Sequence, residues 1–559
     1  MPLSRLISSP ARSRILDLRS RYSVTVFHIW SGPANATFLV LAVAACGMAA
    51  LLALLPAAGH DQMWLLYAAH LIHCGSPIYG PEVFETNPPM ILWLSYLPAS
   101  AASLLHLSET AVGKSFVVAL STLVAAVCLR LVRRTRESAS QPALNPAARC
   151  WLAFVFVTVF AVVPARDFGQ RDHLLAMLCL PYIFAAALSV ASAGGKLPVR
   201  AGACIGMTAL AGIAMKPHQL LIPIAVESTV LYLRSQNRVP RPALSLIRPE
   251  LLAMAASGLA YLLAVRILAP NYFTQLVPLV IDTYWAFGQW PLPHLFVEAI
   301  QLHILAAVAF GLFCYVGPRQ SSPLICLLLA AGAASLIAYY LQGTGWYYQQ
   351  LPSLTFFSLA LAFLLIEFAG RRHLAMPAWA PRAALALSAL ALALTTHFMN
   401  YPFTAARSFP IDTPDPSFFT NLAPGTAVAT LTTTVDYVMP PIFKYNLTLA
   451  QRYPHLWMLP AILRSEDPQG GRLKRHLLPA RIAELDAFQH AAMREDLQRW
   501  RPQLILVERC QDPAVHCQVL EDRHDNLLAW FLRDPGFGKI FSHYHYLRSS
   551  GRFDAYAPN

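Results

Sequence analysis

Residues 166–191 read RDFGQRDHLLAMLCLPYIFAAALSVA. Charged and polar side chains crowd the start of this segment, and an apolar run follows from about residue 174 to residue 192. A helix needs about 20 mostly apolar residues to cross a bilayer. Ionisable groups at membrane depth are costly, and they usually mark a functional site. The pattern therefore predicts a membrane-spanning helix with functional side chains at its polar end.

The composition of the whole chain also indicates a membrane protein. Hydrophobic residues make up 56% of the 559 residues, charged residues only 13%, and the mean hydropathy is +0.47. Soluble proteins carry about 25% charged residues, so most of this chain should lie in lipid. The net charge of +13 does not indicate nucleic-acid binding, because the cytoplasmic loops of membrane proteins collect Lys and Arg.

Apolar segments of near-spanning length recur along the chain. Their approximate bounds are 35–58, 111–132, 150–165, 174–192, 201–215, 218–233, 250–268, 294–316, 323–341, 351–369 and 382–398. The first is too long for the apolar core of a signal peptide, which is about 7–15 residues, so we expect it to be an uncleaved anchor.

A further apolar segment, about 88–107, follows Asn87 and contains Pro98. If it does not cross, every basic loop falls on the side of the arginine-rich N-terminus, as the positive-inside rule requires. These loops are 133–149, 196–200, 234–248, 318–319 and 371–382. We therefore predict a polytopic α-helical membrane protein of about eleven spans, with its N-terminus in the cytoplasm and its C-terminus outside.

The chain divides into three predicted regions. Residues 1–34 form a basic cytoplasmic N-terminus, residues 35–398 the transmembrane domain, and residues 399–559 an extracytoplasmic α/β domain. The predicted elements of the last region are strands at 427–431, 502–508 and 540–547 and helices at 481–500 and 526–532. Cys510 and Cys517 lie close together there. An oxidising compartment would favour a disulfide between them, and two free thiols are the alternative.

Polar residues collect at the predicted outer ends of the spans. Asp61 follows the first span, Arg171 and Asp172 precede the fourth, and Lys216 stands at a short turn. Each of them alone is explained by a solvated helix end. Together they indicate a site for an anionic amphiphile, because cations bind phosphate and a carboxylate can accept a proton from a hydroxyl.

Aromatic and histidine residues on the same side allow two interpretations each. Tyr284, Trp285 and Trp290 are more typical of an interfacial aromatic belt than of a sugar-stacking surface. Trp346 fits either role. His70 and His73 lie one turn apart, and a helix face is favoured over a metal site. We predict no specific metal ligands.

The order of these motifs resembles the GT-C glycosyltransferases, and most closely the branch of the protein mannosyltransferases and the lipid A aminoarabinose transferase. The family has an acidic residue after the first span, as at Asp61, and an aspartate that leads into a later helix, as at Asp172. Residues 84–90, FETNPPM, are similar to a family motif but lack its lysine. Residues 212–217, GIAMKP, and 348–352, YQQLP, are similar to two later motifs. The resemblance covers about residues 35–400.

The resemblance implies a transferase that takes a sugar from a polyprenyl-phosphate donor and inverts the anomeric carbon. The acceptor, which is a lipid, a glycan or a protein, would lie outside a bacterial inner membrane. The implied catalytic residues are Asp61 and Asp172, with Asp167 as a competitor, and the donor phosphate would meet Lys216, Arg171 and His218. The implied substrate-binding residues are Glu85, Asn87, His173, Tyr347 and Tyr348. The expected partners are the donor, the acceptor and membrane lipids, without nucleic acid; no cofactor is predicted, and a divalent metal is left open.

Other functions compete with this interpretation. A lipid-linked sugar flippase or transporter would carry internal repeats and charges near the midplane, whereas these charges cluster at one face and no clear repeat is visible. An O-antigen ligase or polymerase depends on a large outer loop between late spans, whereas the large outer region here is the C-terminus. A scaffold or receptor would use that C-terminal region to bind a partner.

The predicted orientation is testable with topology reporters. Fusions at Arg136 and at Pro513 should report opposite sides of the membrane, with Arg136 cytoplasmic, because the basic loop after the second predicted span favours the inside. An extracytoplasmic signal at Arg136 would overturn the orientation and, with it, the sidedness of the polar residues.

Overall fold

The computed structural model describes residues 58–144, 146–191, 197–237, 243, 246–288, 290–371, 414–466, 477–520 and 523–559. The expected cytoplasmic N-terminus, residues 1–34, lies outside the described residues, as do nearly all of the expected span 35–58 and the expected span 382–398. The boundary expected at residue 399 also falls outside them, so it stays a prediction.

Among the described residues, two short helices come before the first long one. Helix α1 is His60–His73, α2 is Pro89–Leu105 and α3 is Glu109–Ser138. Glu85, just before α2, accepts a hydrogen bond from Trp64 near the start of α1, and Glu109 at the start of α3 lies 2.8 Å from Nδ1 of His70 near the end of α1. With 14 residues, α1 is about 21 Å long and too short to cross a bilayer. These contacts hold both ends of α2 close to α1, and the expectation that 88–107 does not cross the membrane stays a prediction.

The apolar helices that follow form a bundle. They are α4 (Pro146–Val157, extended by a π-helical turn Thr158–Val162), α5 (Arg171–Ala191), α6 (Val199–Met215), α7 (Leu221–Gln236), α8 (Pro249–Leu268), α9 (Val277–Thr283), α10 (Leu292–Glu298), α11 (Ile300–Val316), α12 (Pro323–Gln342) and α13 (Leu351–Arg371). Short 3₁₀ or π turns also occur at Ala165–Asp167, Pro217–Leu220, Tyr272–Leu276, Tyr284–Phe287 and Tyr347–Gln350.

Length and composition identify the spanning helices within the described ranges. Five segments are long and apolar enough to cross: α3, α5, α8, α12 and Tyr347–Gly370, which includes most of α13. The pair α10 and α11, bent by 79°, makes a sixth if it is one span. Three apolar helices are shorter: α2, Trp151–Val162 and α6. The chain is thus a mostly helical membrane protein, and the total of eleven spans stays a prediction.

The C-terminal region contains a five-stranded sheet in the order β2-β1-β3-β5-β4. The strands are β1 (Ala427–Leu431), β2 (Thr448–Leu449), β3 (Leu504–Glu508), β4 (Tyr544–Ser550) and β5 (Phe553–Pro558). The first three are parallel, and β5 pairs antiparallel with both β3 and β4. The helices are α14 (Met439–Lys444), α15 (Leu459–Glu466), α16 (Pro479–Trp500), α17 (Leu527–Phe531) and α18 (Pro535–Phe541), with 3₁₀ turns at Pro416–Phe418 and Gln518–Leu520.

The sequence located most of these elements. The strands expected at 427–431 and 502–508 and the helices expected at 481–500 and 526–532 match β1, β3, α16 and α17. The strand expected at 540–547 is wrong as the last strand. Ile540 belongs to α18, and the chain ends in a hairpin of β4 and β5, because Gly551 makes the turn with a φ of +54°. Cys510 and Cys517, just after β3, are joined by a disulfide.

The C-terminal domain packs directly on the polar ends of the helices in the bundle. The backbone N–H of Leu449 in β2 donates to the hydroxyl of Tyr67 in α1 at 2.9 Å. Arg481 at the start of α16 pairs with Asp282 in α9 at 2.8 Å. These contacts join residues far apart in the chain, and they hold one wall of the domain over the polar ends of the spanning helices.

Candidate functional site

A cavity of about 290 Å³ lies between the C-terminal domain and the polar ends of the helices. Of the residues expected to form a site, six line it: Asp61, Glu85, Asn87, Arg171, Tyr347 and Tyr348. Asp167, Tyr284 and Trp346 line it too. Asp172, His173, Lys216 and His218 are not among its lining residues. The domain contributes a second wall that includes Asp436 and His455.

Two glycines bring Asp61 against the segment that precedes α5. A Cβ on Gly59 would lie 2.5 Å from the carbonyl oxygen of Arg166, and one on Gly169 would lie 2.3 Å from Nε2 of Gln62. Gly169 also has a φ of +85°, which favours glycine. The start of α1 therefore touches the 166–170 turn at positions where only glycine leaves room.

The carboxylate of Asp61 is held between two cations. Nε2 of His60 lies 3.3 Å from Oδ1 of Asp61, and a guanidinium nitrogen of Arg171 lies 3.5 Å from Oδ2. Burial disfavours the anion, but His60 and Arg171 outweigh burial and hold the pKa of Asp61 below its ordinary value. Asp61 is also in the first turn of α1, where the helix dipole favours a negative charge. It is therefore ionised at neutral pH.

His60 is in turn paired with the C-terminal domain. Its Nδ1 lies 2.5 Å from Oδ1 of Asp436. Burial disfavours the imidazolium, but the carboxylates of Asp436 and Asp61 outweigh burial and raise the pKa of His60 well above its ordinary value. His60 is thus a cation between two carboxylates, one from the membrane domain and one from the C-terminal domain.

A second carboxylate in the cavity has the opposite environment. Asp167 ends the turn Ala165–Asp167, and its side chain is buried. Burial raises the pKa of Asp167 to about 7, even though Arg166 and His60 lower it. Gln170 donates a hydrogen bond to Asp167 at 3.2 Å. Asp167 therefore exchanges a proton near neutral pH.

Asp172 and Lys216 form a buried ion pair behind the cavity wall. Nζ of Lys216 lies 2.9 Å from Oδ2 of Asp172, which is fully buried, and it donates to Oε1 of Gln342 at 3.0 Å. The same ammonium lies 4.8 Å from the centre of the Tyr348 ring, and the guanidinium of Arg171 lies 5.6 Å from that ring. Tyr348 lines the cavity, so Lys216 is one aromatic ring behind it, whereas Arg171 is in its wall.

Glu85 is committed to local hydrogen bonds. It accepts from the indole of Trp64, from the backbone N–H of Asn87 at 2.9 Å, and from the hydroxyl of Thr86 at 3.2 Å. The side-chain amide of Asn87 donates to it as well. Glu85 thus fixes the segment that leads into α2, and its oxygens are less available to a substrate than those of Asp61.

His173 and Tyr347 use polar atoms in hydrogen bonds within the helical bundle, and His218 does not. Nδ1 of His173 accepts a hydrogen bond from the backbone of Gly169 at 3.0 Å, and the hydroxyl of Tyr347 donates to the carbonyl of Val163 at 2.6 Å. Both bonds are within the bundle. Nε2 of His218, two residues after Lys216, is buried and has no hydrogen-bond partner among the described residues.

Four of the aromatic and histidine candidates do not line the cavity: Trp285, Trp290, His70 and His73. Trp285 donates to the backbone carbonyl of Asp282 at 2.6 Å, and the Trp290 ring stacks on His294 at 4.1 Å. His70 pairs with Glu109, while His73 bonds to Ser100 at 3.1 Å. Within the described ranges, a single group has metal-like geometry. It consists of Glu508, Cys510 and Cys517, and its two cysteines are bonded to each other.

The sequence did not indicate four charged or histidine residues that line the cavity: His60, Arg166, Asp436 and His455. His60 and Arg166 adjoin residues that the sequence did single out. Asp436 and His455 follow no motif, and they reach the cavity only because the C-terminal domain folds over it. Burial lowers the pKa of His455 to about 4, so it faces Asp61 mainly as a neutral ring.

Comparison with known proteins gave structural matches only. No family model matches the chain, and no curated protein matches its sequence. The chain is similar to the crystal structure of ArnT from Cupriavidus metallidurans bound to undecaprenyl phosphate, with 13% identity, a TM-score of 0.49, and coverage of 93% of this chain and 98% of that chain.

Two further matches are structures of an archaeal oligosaccharyltransferase from Archaeoglobus fulgidus. One is AglB in complex with an inhibitory peptide and a dolichol-phosphate, with 14% identity and a TM-score of 0.45. The other is tethered to an acceptor peptide by a disulfide bond, with 14% identity and a TM-score of 0.44. Each match covers 93% of this chain and 74% of the archaeal chain.

The Asp172–Lys216 pair should behave as one unit in stability. Asp172→Asn or Lys216→Met alone leaves a buried charge without its partner, and such a loss costs about 3–5 kcal/mol. Both single variants should therefore have a lower apparent melting temperature in detergent, measured by the decay of the monodisperse peak after heating. The double variant should recover most of the loss, because it buries no charge.

A matched control is the exposed pair of Arg133 and Glu137, with its 2.7 Å contact. Glu137→Gln should change the melting temperature little, since exposed pairs contribute about 0–1 kcal/mol. If the double variant loses as much stability as the two single variants together, the two residues are not coupled.

Proposed function

We propose that this chain is a membrane glycosyltransferase that moves a sugar from a polyprenyl-phosphate donor to an extracytoplasmic hydroxyl acceptor, with inversion at the anomeric carbon. The observation that carries the proposal is the position of Asp61 and Arg171. An ionised carboxylate and a guanidinium stand together in one cavity at the membrane boundary. The motif order described above, which resembles the GT-C glycosyltransferases, supports it independently.

The proposed chemistry needs one base and one anion-binding group. A carboxylate oxygen of Asp61 takes the proton of the acceptor hydroxyl while that hydroxyl oxygen bonds to the anomeric carbon. The bond from the anomeric carbon to the phosphate oxygen breaks, and the electron pair leaves with the lipid phosphate. Displacement from the opposite face inverts the configuration, and polyprenyl phosphate is the second product.

Arg171 is placed to stabilise the leaving phosphate. Its guanidinium lines the cavity, and its Nε is buried without a hydrogen-bond partner within the described structure. A phosphate oxygen would supply that partner through a charge-assisted bond. The ring of Tyr348 stands between Lys216 and the cavity. In this scheme the ammonium of Lys216 acts on the phosphate through that ring or after the ring moves aside. Asp172, bonded to Lys216, holds the lysine in place in this scheme.

Asp61→Asn should stop turnover while the donor remains bound. The substitution preserves size but removes the proton acceptor, and loss of a general base costs about 10²–10⁴-fold in rate. Mass spectrometry of co-purified lipid gives the readout. The wild type should carry mainly sugar-free polyprenyl phosphate, and the variant should carry the sugar-loaded donor.

The control is Asp525→Asn, which removes a carboxylate that pairs with Arg523 within the C-terminal domain at 3.0 Å and does not line the cavity. It should leave the lipid profile as in the wild type. Wild-type turnover by Asp61→Asn would show that Asp61 is not the base, and Asp167 would then be the next candidate.

Asp436 should set the alkaline limit of activity. The His60 imidazolium holds the Asp61 carboxylate in position, and this contact is lost when the pH rises through the pKa of His60. That pKa is raised by Asp436, so Asp436→Asn should lower it and move the alkaline limb of kcat/KM to lower pH. Arg166, Asp167, Arg171 and His455 also face this group and are unchanged in the variant.

The pH profile distinguishes this role from simple loss of folding. Asp512→Asn, which removes a carboxylate paired with Arg509 in the same domain, should keep the wild-type profile. An unshifted alkaline limb in Asp436→Asn, with reduced activity at every pH, would show that Asp436 acts only in domain packing.

A further inference from the structure

A second cavity lies at the other end of α3, far from the candidate site. It has a volume of about 790 Å³. Five arginines line it: Arg130, Arg133, Arg134, Arg136 and Arg149. We call it the arginine cavity. Helix α3 has 30 residues and is about 45 Å long, which exceeds the thickness of a hydrocarbon core. Because Glu109 at its first turn contacts α1 beside the candidate site, the arginine cavity is on the opposite face of the membrane.

The charge of the arginine cavity is poorly compensated. A single acidic residue, Glu137, is among its described lining residues, and that carboxylate is 2.7 Å from Nε of Arg133. Nε of Arg136 donates to the backbone carbonyl of Pro142 at 2.8 Å. Arg130 and Arg134 have no hydrogen bond or ion pair within the stretch of chain that the structure describes. Glu367 also acts electrostatically on Arg136, so five guanidinium groups share two nearby carboxylates and the cavity keeps an excess of positive charge.

The rest of the lining favours an amphiphile. Leu129, Ala143 and Leu144 line the arginine cavity beside the guanidinium groups. Arg130 and Leu129 are one position apart on α3, which is long and apolar enough to span a membrane. Basic pockets between helices at a membrane surface bind phospholipid headgroups, and guanidinium binds phosphate oxygens through paired hydrogen bonds.

We infer that the arginine cavity binds the headgroup of an anionic phospholipid in the leaflet opposite the candidate site. The guanidinium groups bind the phosphate oxygens, and the apolar residues contact the glycerol and the first carbons of the acyl chains. Five arginines against the carboxylates of Glu137 and Glu367 leave an excess of positive charge that matches a headgroup with two phosphates better than one with a single phosphate. This site is independent of the proposed transferase activity, and either assignment can fail alone.

The test is a binding titration of the full-length chain in detergent with fluorescent cardiolipin, which carries two phosphates, and with phosphatidylcholine as the zwitterionic reference. The wild type should prefer cardiolipin. Arg130→Gln/Arg134→Gln should bind it at least about tenfold more weakly, because two charge-assisted contacts are lost. Arg130→Lys/Arg134→Lys, which preserves the charge, should bind more tightly than the glutamine variant.

The matched control is Arg200→Gln/Arg319→Gln, which removes the same net charge from the same membrane face outside the cavity. It should change the affinity by less than about twofold. Equal weakening by the control pair would show that diffuse surface charge binds the lipid, and it would overturn the site. The proposal also fails if the Arg130→Gln/Arg134→Gln variant retains full affinity with an unchanged melting temperature. Displacement of cardiolipin by equimolar inorganic pyrophosphate would assign the cavity to a soluble anion instead.

Discussion

A lysine and an aspartate that are both buried near the membrane boundary fix the site end of the helical bundle. Asp172 is on α5, Lys216 follows α6, and Gln342 ends α12, so their contacts tie three helices together. Either charge alone at this depth would cost several kcal/mol, so the helices cannot slide without a large penalty. Arg171, the neighbour of Asp172, is positioned in the cavity wall as a consequence, and Asp61 can pair with it.

The C-terminal domain completes the electrostatics that the bundle begins. His60 would be a weakly held cation if Asp61 were its sole partner, because burial disfavours the imidazolium. Asp436 supplies the second carboxylate and thereby makes the charge state of the cavity depend on domain docking. The contacts of Tyr67 with Leu449 and of Arg481 with Asp282 hold that docking, at positions outside the cavity.

The sequence predicted what depends on local pattern and missed what depends on long-range folding. Hydropathy located the long apolar helices of the bundle, whereas the sidedness of 88–107 stays a prediction from the positive-inside rule. Polar helix ends identified Asp61 and Arg171. The same pattern indicated Lys216 as a phosphate ligand, which stays a prediction, and it gave no sign that this lysine pairs with Asp172. Asp436 is 375 residues from Asp61 and has no motif, so only the folded domain shows it in the cavity.

Two aspartates in one cavity have pKa values that are shifted in opposite directions. The cations around Asp61 lower its pKa, and burial raises the pKa of Asp167 to about 7. Carboxylates separated in this way are suited to different roles, since one stays ionised while the other gains and loses a proton near neutral pH. In the proposed reaction Asp61 is charged before the acceptor arrives and ready to accept a hydrogen bond from it. Asp167, which accepts a hydrogen bond from Gln170, is suited to exchange that proton afterwards, because both carboxylates line one cavity and His60 acts on both of them.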